Sequence, residues 1–278
     1  MPKYDLIALD MDGTVLDDNK EISRANAEAI HDALRAGRDV IFCTGRSLAE
    51  MNDILADFPD MHYLLAESGA FLYDLREKRI LYAAAIGREE IAKIREAVGD
   101  RDLMPIAFSR GRYMINRSQF YSLKDYGMAP YQEMGPRVAT PAENVLAETC
   151  AGVYPAEKIN LYHRRVEDRA ESRRRLDRLK PDLEYVDSEI SSLECSPRGI
   201  TKASGLERLS QILQIDAERM IMVGDADNDL AGLRFAGLAV AMGNANENVK
   251  AECDEVVADN NHDGCAEAIR RFLLEESH

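Results

Sequence analysis

The fold is decided by a short stretch near the start of the chain, LIALDMDGT at residues 6–14. Its first four residues are all apolar, as in a strand that is buried on both faces of a parallel sheet. Two acidic residues, Asp10 and Asp12, and a glycine, Gly13, follow the apolar run. The stretch therefore predicts a buried strand that delivers carboxylates at its carboxyl end.

The same pattern of apolar strands and intervening helices continues along the chain. Residues 40–43 form a second apolar run, which is separated from the first by an amphipathic helix with Ser23 as its predicted N-cap. Apolar runs recur at residues 220–223 and 238–242, again with a helical segment between them. Strands that alternate with helices are typical of α/β proteins. The sequence therefore predicts an α/β fold with a doubly wound, Rossmann-like parallel sheet.

The alternation is interrupted in the middle of the chain. From about Phe71 to about Thr201, short apolar segments are mixed with polar helical segments. This mixed pattern of short apolar and polar helical segments predicts an α+β insert within the sheet domain. Residues 163–180 of the insert are rich in arginine. Their helical spacing and interleaved acidic residues favour a solvated face with ion pairs over a site for polyanions.

The charge of the chain excludes several classes of partner. There are 35 Lys and Arg residues against 50 Asp and Glu residues, which makes the formal charge −15. This field repels nucleic-acid backbones and anionic membranes, so we expect neither as a partner. A phosphorylated metabolite is repelled as well. A site for such a substrate therefore needs a local cation, either a metal ion or a Lys or Arg side chain.

The cysteines and the apolar runs indicate the cellular location of the protein. The five cysteines are widely spaced and include no C-x-x-C pair, which argues against a disulfide framework and against a zinc knuckle. The first residues lack the apolar stretch of a secretory signal, and no run reaches the roughly 18 apolar residues of a membrane span. We expect a reducing, cytoplasmic location.

Polar and acidic residues follow three of the predicted strands. They are Asp10 and Asp12, then residues 44–46 (TGR), then residues 224–229 (GDADND). Because the carboxyl ends of parallel strands meet at one edge of a sheet, we expect these residues to lie together. Clustered carboxylates repel one another unless a cation lies among them, and oxygen ligands suit Mg²⁺ above other ions. The sequence therefore predicts a magnesium site.

The acidic residues have two other interpretations. A calcium-binding loop that starts at Asp225 needs Gly at its sixth position and Glu at its twelfth, which are Leu230 and Ala236 here. Solvated turns or helix caps account for any one acidic cluster, but less well for three that all follow strands. Magnesium is the interpretation that we favour.

Four ordered motifs give the sequence a family resemblance. They are DMDGTVL at 10–16, TGRS at 44–47, GITK at 199–202 and GDADND at 224–229. In this order they resemble the haloacid dehalogenase-like (HAD) phosphatases, and more narrowly their Cof-type branch, which acts on sugar phosphates and related small phosphomonoesters. The resemblance implies a core domain at 1–83 and 197–278 with an inserted α+β cap at 84–196 that selects the substrate. Ser68 stands where we expect Asn, so its segment is assigned no role in binding.

The resemblance also implies an enzyme, a Mg²⁺-dependent phosphoric monoester hydrolase. Asp10 would be the nucleophile that forms an aspartyl-phosphate, and Asp12 the general acid and base. Asp12 favours hydrolysis, since relatives that keep the phosphorylated intermediate have Thr at its position. The magnesium ligands would be the carboxylates of Asp10, Asp225 and Asp229 and the backbone carbonyl of Asp12. The phosphate would be bound by the amides of Met11 and Gly45, the Thr44 hydroxyl, the Lys202 ammonium and the Asn228 side chain.

Two other functions stay open at this point. A phosphomutase would use the same intermediate but pass the phosphoryl group to a second sugar hydroxyl. A receiver-like module would be phosphorylated on Asp10 as a signal, although receivers are shorter and lack an insert. The sequence indicates a small phosphorylated metabolite as the partner without saying which one. The sequence does not indicate the oligomeric state of the protein, and it assigns no role to Arg46.

Overall fold

The computed structural model describes residues 3–188 and 191–275. Its strands are, in chain order, β1 (Leu6–Leu9), β2 (Asp39–Cys43), β3 (Tyr63–Ala66), β4 (Phe71–Asp74), β5 (Arg79–Ala83), β6 (Leu103–Ser109), β7 (Arg112–Asn116), β8 (Ala139–Ala142), β9 (Lys158–His163), β10 (Leu183–Ser188), β11 (Ser192–Pro197), β12 (Met220–Gly224), β13 (Leu238–Ala241) and β14 (Glu255–Val256). Its α-helices are α1 (Arg24–Arg35), α2 (Leu48–Leu55), α3 (Arg88–Val98), α4 (Gly135–Val138), α5 (Val145–Ala151), α6 (Val166–Leu179), α7 (Lys202–Leu213), α8 (Leu230–Phe235), α9 (Glu247–Ala251) and α10 (Gly264–Ala268). A π-helix, Ile269–Leu274, directly follows α10.

The chain folds into two compact units. The first comprises the chain up to Arg46, Asp53–Tyr82 and the chain from Thr201 onward, and the second comprises Ser47–Asn52 and Ala83–Ile200. Each unit has its own sheet and its own apolar core. The assignment of residues 84–196 as a substrate-selecting cap stays a proposal.

The first unit is built on a sheet in which β1 is central. The strand order is β14-β13-β12-β1-β2-β3-β4-β5. β1 pairs in parallel with both β2 and β12, with Ile7 opposite Val40 on one side and Ile221 on the other. The pairs β2 with β3, β12 with β13 and β13 with β14 are parallel too. The predicted α/β fold with a parallel core sheet is confirmed.

The apolar runs form strands because the sheet is covered on its faces. Every residue of β1 and of β12 is buried. Leu6 and Met222 lie in one core cluster with Leu206 and Leu209 of α7. Helix α1 begins after Ser23, whose side chain accepts a hydrogen bond from the Asn26 amide, so the predicted N-cap is confirmed.

The change in sequence pattern at about Phe71 precedes the segment Ala83–Ile200 of the second unit. β4 and β5 follow the point at which the sequence texture changes, yet both belong to the sheet of the first unit. β4 pairs antiparallel with β3, with Leu65 opposite Leu72. A hairpin that extends a parallel sheet has the same short, mixed segments as an α+β region, so the change in sequence pattern comes before the end of the core unit.

The second unit is an α+β layer of helices on a sheet of order β10-β11-β9-β6-β7-β8. The pairs in this sheet are antiparallel except for β7 with β8. Side chains of α3, α5 and α6 share a core cluster with alternate residues of the strands, such as Ile159 and Leu161. The arginines of α6 form ion pairs, for example Arg174 and Arg175 with Glu171. Among the described residues, no helix has both the length and the apolar character that a membrane span needs.

Candidate active site

The site lies at the carboxyl ends of three neighbouring strands of the first unit. Asp10 directly follows β1, Thr44 directly follows β2, and Asp225 directly follows β12. These strands are adjacent and parallel, so their carboxyl ends lie at the same edge of the sheet. The topology therefore brings together residues from the two ends of the chain.

Three carboxylates converge at this edge. Asp10, Asp225 and Asp229 each offer an oxygen atom, and these oxygens lie within 4.8 Å of one another. Asp229 is fully buried at the end of a short 3-10 turn, where its Oδ2 accepts hydrogen bonds of 3.1 Å from the amides of Asp225 and Ala226. A set of oxygen donors in this arrangement suits a hard divalent cation such as Mg²⁺.

Lys202 lies among these carboxylates. Its ammonium is 2.5 Å from Asp229 Oδ1 and also donates a hydrogen bond to Asp10 Oδ1. Burial favours the neutral amine, but the charges of Asp10 and Asp229 outweigh this effect and hold the pKa of Lys202 well above its usual value. Lys202 is therefore a permanent ammonium. The structure shows it as a partner of the acids, and its predicted contact with phosphate stays a proposal.

The local sequence explains how Lys202 reaches this position. It is the first residue of α7, which begins with a capping box formed by Thr201 and Ser204. Gly69 packs so closely against the Thr201 carbonyl that a Cβ atom at this position would clash with it. The absence of a side chain at Gly69, whose φ is +100°, lets α7 start directly against the end of β3.

Crowding raises the pKa of two of the acids. Burial and the nearby charge of Asp229 raise the pKa of Asp10, against the opposing effect of Lys202. Burial also raises the pKa of Asp225 to about 6, although the Thr14 hydroxyl donates a hydrogen bond of 3.0 Å to its Oδ1. The three carboxylates carry more negative charge than the ammonium of Lys202 offsets, so the site has an electrostatic need for a further cation.

Asp12 is not one of the three converging carboxylates, and it has cationic partners of its own. Arg46 donates two hydrogen bonds to its carboxylate, of 2.8 and 2.7 Å, and Lys20 donates a third of 2.8 Å. Burial opposes the charge of Asp12, but the hydrogen bonds and charges of Arg46 and Lys20 outweigh it and lower the pKa of Asp12 to about 2. Asp12 is therefore ionised when these cations are in place.

The residues predicted to bind phosphate lie on the loops at the same edge. Met11 is buried, and its carbonyl accepts hydrogen bonds from the amides of Thr14 and Leu16. Thr44 is buried, and its hydroxyl oxygen accepts a hydrogen bond of 3.1 Å from the Arg46 amide. Gly45 follows Thr44 on the same loop, and Asn228 is exposed on the turn that ends at Asp229.

One segment that supports this edge was not expected from the sequence. Glu67, Ser68 and Gly69 all have left-handed backbone conformations, with φ of 56°, 59° and 100°. The amides of Glu67 and Ser68 donate hydrogen bonds of 3.0 Å to the carbonyls of Arg46 and Thr44. The segment therefore fixes the loop that carries Thr44. The only local signal was the Ser-Gly pair that follows a strand.

Lys20 was missed as well. It lies in a turn after the first motif with φ of 65°, and no pattern in the sequence points from this turn back to Asp12. Arg46, in contrast, ends the TGR motif that follows β2, at the edge where polar side chains were expected.

Comparison with known proteins assigns the chain to a class and a family. A family model described as haloacid dehalogenase-like hydrolase matches residues 7–269, which is nearly the whole chain. The chain therefore belongs to the haloacid dehalogenase-like hydrolases. The resemblance to the haloacid dehalogenase-like family that the four motifs carry is confirmed.

Individual relatives match over the length of the chain. The 5-amino-6-(5-phospho-D-ribitylamino)uracil phosphatase YcsE of Bacillus subtilis is 27% identical, over 97% of this chain and 96% of its own length. A chloroplastic protein of Arabidopsis thaliana named endoribonuclease YBEY is 28% identical over 98% of this chain, which spans only 47% of that protein. The structure of a haloacid dehalogenase-like hydrolase from Bacteroides thetaiotaomicron has a TM-score of 0.84 at 27% identity and covers 97% of this chain and 99% of its own.

These relatives confirm the fold and the class of enzyme. The structural match extends over both units of the chain. Full-length relatives are named as phosphatases. The chain is thus a phosphoric monoester hydrolase, as predicted.

Proposed function

We propose that this enzyme hydrolyses small phosphomonoesters, foremost sugar phosphates, through an aspartyl-phosphate on Asp10 and with Mg²⁺ as its cofactor. The observation that carries the proposal is the position of Asp10 at the end of β1, with Lys202 on one carboxylate oxygen and two further acids within 4.8 Å. This arrangement offers both a nucleophile and the groups that hold a charge-neutralising cation.

The residues present fit a magnesium ion. Asp10, Asp225 and Asp229 would hold it through their carboxylates, together with the backbone carbonyl of Asp12. All of these donors are oxygen atoms, and their charge exceeds that of the ammonium beside them. When bound, the ion supplies positive charge that neutralises the phosphoryl oxygens and aligns the phosphoryl group with Asp10.

In the first half of the reaction, Asp10 attacks the phosphorus atom. Lys202 contacts Oδ1, so we expect Oδ2 to form the new bond as the bond to the leaving oxygen breaks. Asp12 donates its proton to that oxygen, and the alcohol departs. The amides of Met11 and Gly45, the Thr44 hydroxyl and the Asn228 side chain hold the phosphoryl oxygens.

In the second half, water replaces Asp10 on phosphorus. The Asp12 carboxylate accepts a proton from the water as the water oxygen attacks, and the bond between phosphorus and Asp10 breaks to release inorganic phosphate. The cations beside Asp12 stabilise the carboxylate that the first proton transfer leaves behind. The proton taken from water leaves Asp12 protonated at the end of the cycle, but the neighbouring cations favour loss of this proton to solvent. An enzyme that has lost it must take a proton from solvent when the dianionic substrate binds, before Asp12 can act as the acid.

The names of the relatives support a small phosphorylated substrate. YcsE is named for a ribitylaminouracil phosphate, a 25% identical protein of Escherichia coli for pyridoxal phosphate, and a 26% identical protein of Methanobrevibacter smithii for phosphoglycolate. What these compounds share is one phosphate ester on a small molecule. We propose that the present enzyme acts on a substrate of this class, a small phosphomonoester. We also propose that it is cytoplasmic and that nucleic acid is not its partner.

A phosphate-release assay over a panel of phosphomonoesters tests the function. We expect release from at least one hexose or pentose phosphate in the presence of Mg²⁺, loss of that activity with EDTA, and recovery when Mg²⁺ is added in excess. Activity that persists at full rate in EDTA would contradict the metal site. Transfer to a second hydroxyl without free phosphate would identify a mutase instead.

Replacement of Lys20 tests the role of Asp12. We expect Lys20→Met to raise the pKa of Asp12, since the ionised carboxylate loses one of its cations. Because the acid must be protonated to act on the leaving group, the basic limb of the kcat/KM profile should move to higher pH for an alkyl phosphate. p-Nitrophenyl phosphate is the control, since its leaving group is stable as an anion and needs no proton. An unshifted limb for the alkyl ester would argue against Asp12 as the acid.

A further inference from the structure

Two asparagines from the C-terminal part of the first unit hold the loop that carries Asp12. The Asn244 side-chain amide donates a hydrogen bond of 2.8 Å to the Gly13 carbonyl. The Asn244 side-chain oxygen accepts a hydrogen bond of 3.1 Å from the Asn260 amide. Asn244 thus bridges the loop after β1 and the segment before α10.

Asn260 binds the same loop a few residues farther on. It is buried, with 5% of its surface exposed. Its side-chain amide donates a hydrogen bond of 3.1 Å to the Leu16 carbonyl and another of 3.2 Å to Asp18 Oδ1. The loop is therefore held at two backbone carbonyls, one on each side of Thr14, by donors that are about 230 to 244 positions away in the chain.

The outside donors complement the hydrogen bonds that the loop forms with its own backbone. Its own amides turn inward, since Thr14 and Leu16 both donate to the Met11 carbonyl, at 3.2 and 2.9 Å. The Gly13 and Leu16 carbonyls receive their hydrogen bonds from the asparagines instead. Gly13 has φ of +80°, a conformation that only glycine adopts without strain. A peptide next to such a residue rotates easily once its carbonyl loses its donor.

The position of the loop matters because of what lies on it. Thr14 donates a hydrogen bond of 3.0 Å to Asp225 Oδ1. Asp12, directly before Gly13, accepts hydrogen bonds from the side chains of Arg46 and Lys20. Rotation of the Gly13 peptide would displace the residues on both of its sides. Neither asparagine forms a hydrogen bond with Asp10, so any effect on the reaction passes through the loop.

We propose that Asn244 and Asn260 are positioning residues for phosphoryl transfer. They hold the loop at residues 12–18 in the one conformation in which Asp12 points at the leaving group and Thr14 supports Asp225. The inference rests on the proposed function, because the reaction of Asp12 is part of that proposal. It adds a requirement on two residues that bind neither substrate nor metal.

Kinetics and hydrogen exchange of Asn244→Ala and Asn260→Ala test the inference. We expect kcat to fall by about 10- to 100-fold while KM changes by less than about twofold, as for a displaced catalytic group. Amide hydrogen exchange in the peptide that covers residues 11–18 should become faster in both variants. Exchange is measured on the free protein, so this readout does not depend on turnover.

Asn144→Ala is the matched control for stability. Asn144 caps α5 in the second unit, where its side chain accepts a hydrogen bond from the Ala147 amide. This variant should lower the unfolding temperature and leave kcat unchanged, since the loss is far from the loop in sequence and lies in the other unit. It separates lost stability from lost positioning.

Asn244→Asp isolates the hydrogen bond to Gly13. It keeps an acceptor for the Asn260 amide but has no donor for the Gly13 carbonyl, so we expect kcat to fall as in Asn244→Ala. Unchanged loop exchange in both alanine variants would overturn the positioning role. So would a loss of kcat that only follows the unfolded fraction. If the parent enzyme releases phosphate from no substrate, the proposed function fails, whatever the exchange shows.

Discussion

Replacing Asp10 by Asn is expected to abolish phosphate release, with a fall in kcat of at least roughly 10⁴-fold, as for the loss of a nucleophile in other enzymes. The side chain keeps its size but loses the carboxylate oxygen that attacks phosphorus in the proposed mechanism. The fold should survive, because burial and Asp229 make the ionised form of Asp10 unfavourable, as its raised pKa shows. We expect an unfolding temperature no lower than that of the parent.

The matched control for this variant is Asp57→Asn. Asp57 is exposed in the same unit, and its replacement should change neither kcat nor stability. Mass spectrometry of acid-quenched enzyme should find a phosphoryl adduct on the peptide that contains Asp10 in the parent and none in Asp10→Asn. Turnover by Asp10→Asn at more than a trace level would refute the covalent mechanism.

Lys202→Met should have the largest combined effect on stability and activity. The variant leaves Asp10 and Asp229 buried without their shared ammonium. Removal of one partner from a buried ion pair costs about 3 to 5 kcal/mol, because a charge stays behind without compensation. We also expect kcat to fall by about 10²- to 10³-fold, since the variant lacks the cation that we propose to stabilise charge in the transition state.

The pH dependence of this destabilisation has a definite sign. Without Lys202, the pKa of Asp10 rises further above its unfolded value, so the folded state binds more protons than the unfolded state. The stability of the variant therefore falls as the pH rises through the range between the two pKa values. In EDTA, the difference in unfolding temperature between parent and variant should be larger at about pH 8 than at about pH 5.5.

Lys93→Met is the control for the loss of a lysine. Lys93 forms a partly exposed ion pair of 2.9 Å with Glu90 on α3, and such pairs contribute about 0 to 1 kcal/mol. Its replacement should lower the unfolding temperature little and equally at both pH values. An equal, small effect of Lys202→Met would show that the lysine does not hold the acids together.

The fold and the acidic cluster could be predicted because the signal is local. Strands buried on both faces require continuous apolar runs, so β1 and β12 were visible in the sequence together with the acids that follow them. In a parallel sheet, the residues that directly follow the strands all lie at the same edge, where the carboxyl ends of the strands meet. Asp10 and Asp225 could therefore be placed together without knowledge of the strand order.

The hydrogen bonds of the two asparagines with the loop after β1 could not be predicted, because their main partners are backbone groups. Asn244 and Asn260 act on carbonyls of Gly13 and Leu16, which exist at every position and leave no trace in the sequence. Lys20 reaches Asp12 only because a left-handed turn folds it back. Motifs show which groups carry out chemistry, whereas the orientation of these groups depends on contacts that have no sequence pattern.

The place of β1 between β2 and β12 has a consequence for the synthesis of the chain. β2 leaves the ribosome soon after β1, but β12 follows only after the whole second unit. Until then, one edge of an apolar strand lacks its hydrogen-bonded neighbour, and an open edge of this kind pairs readily with other chains. The segment Ala83–Ile200 is continuous and emerges complete before β12. Nascent chains thus pass through a stage in which a finished unit coexists with an open sheet edge, and protection by chaperones is most needed there.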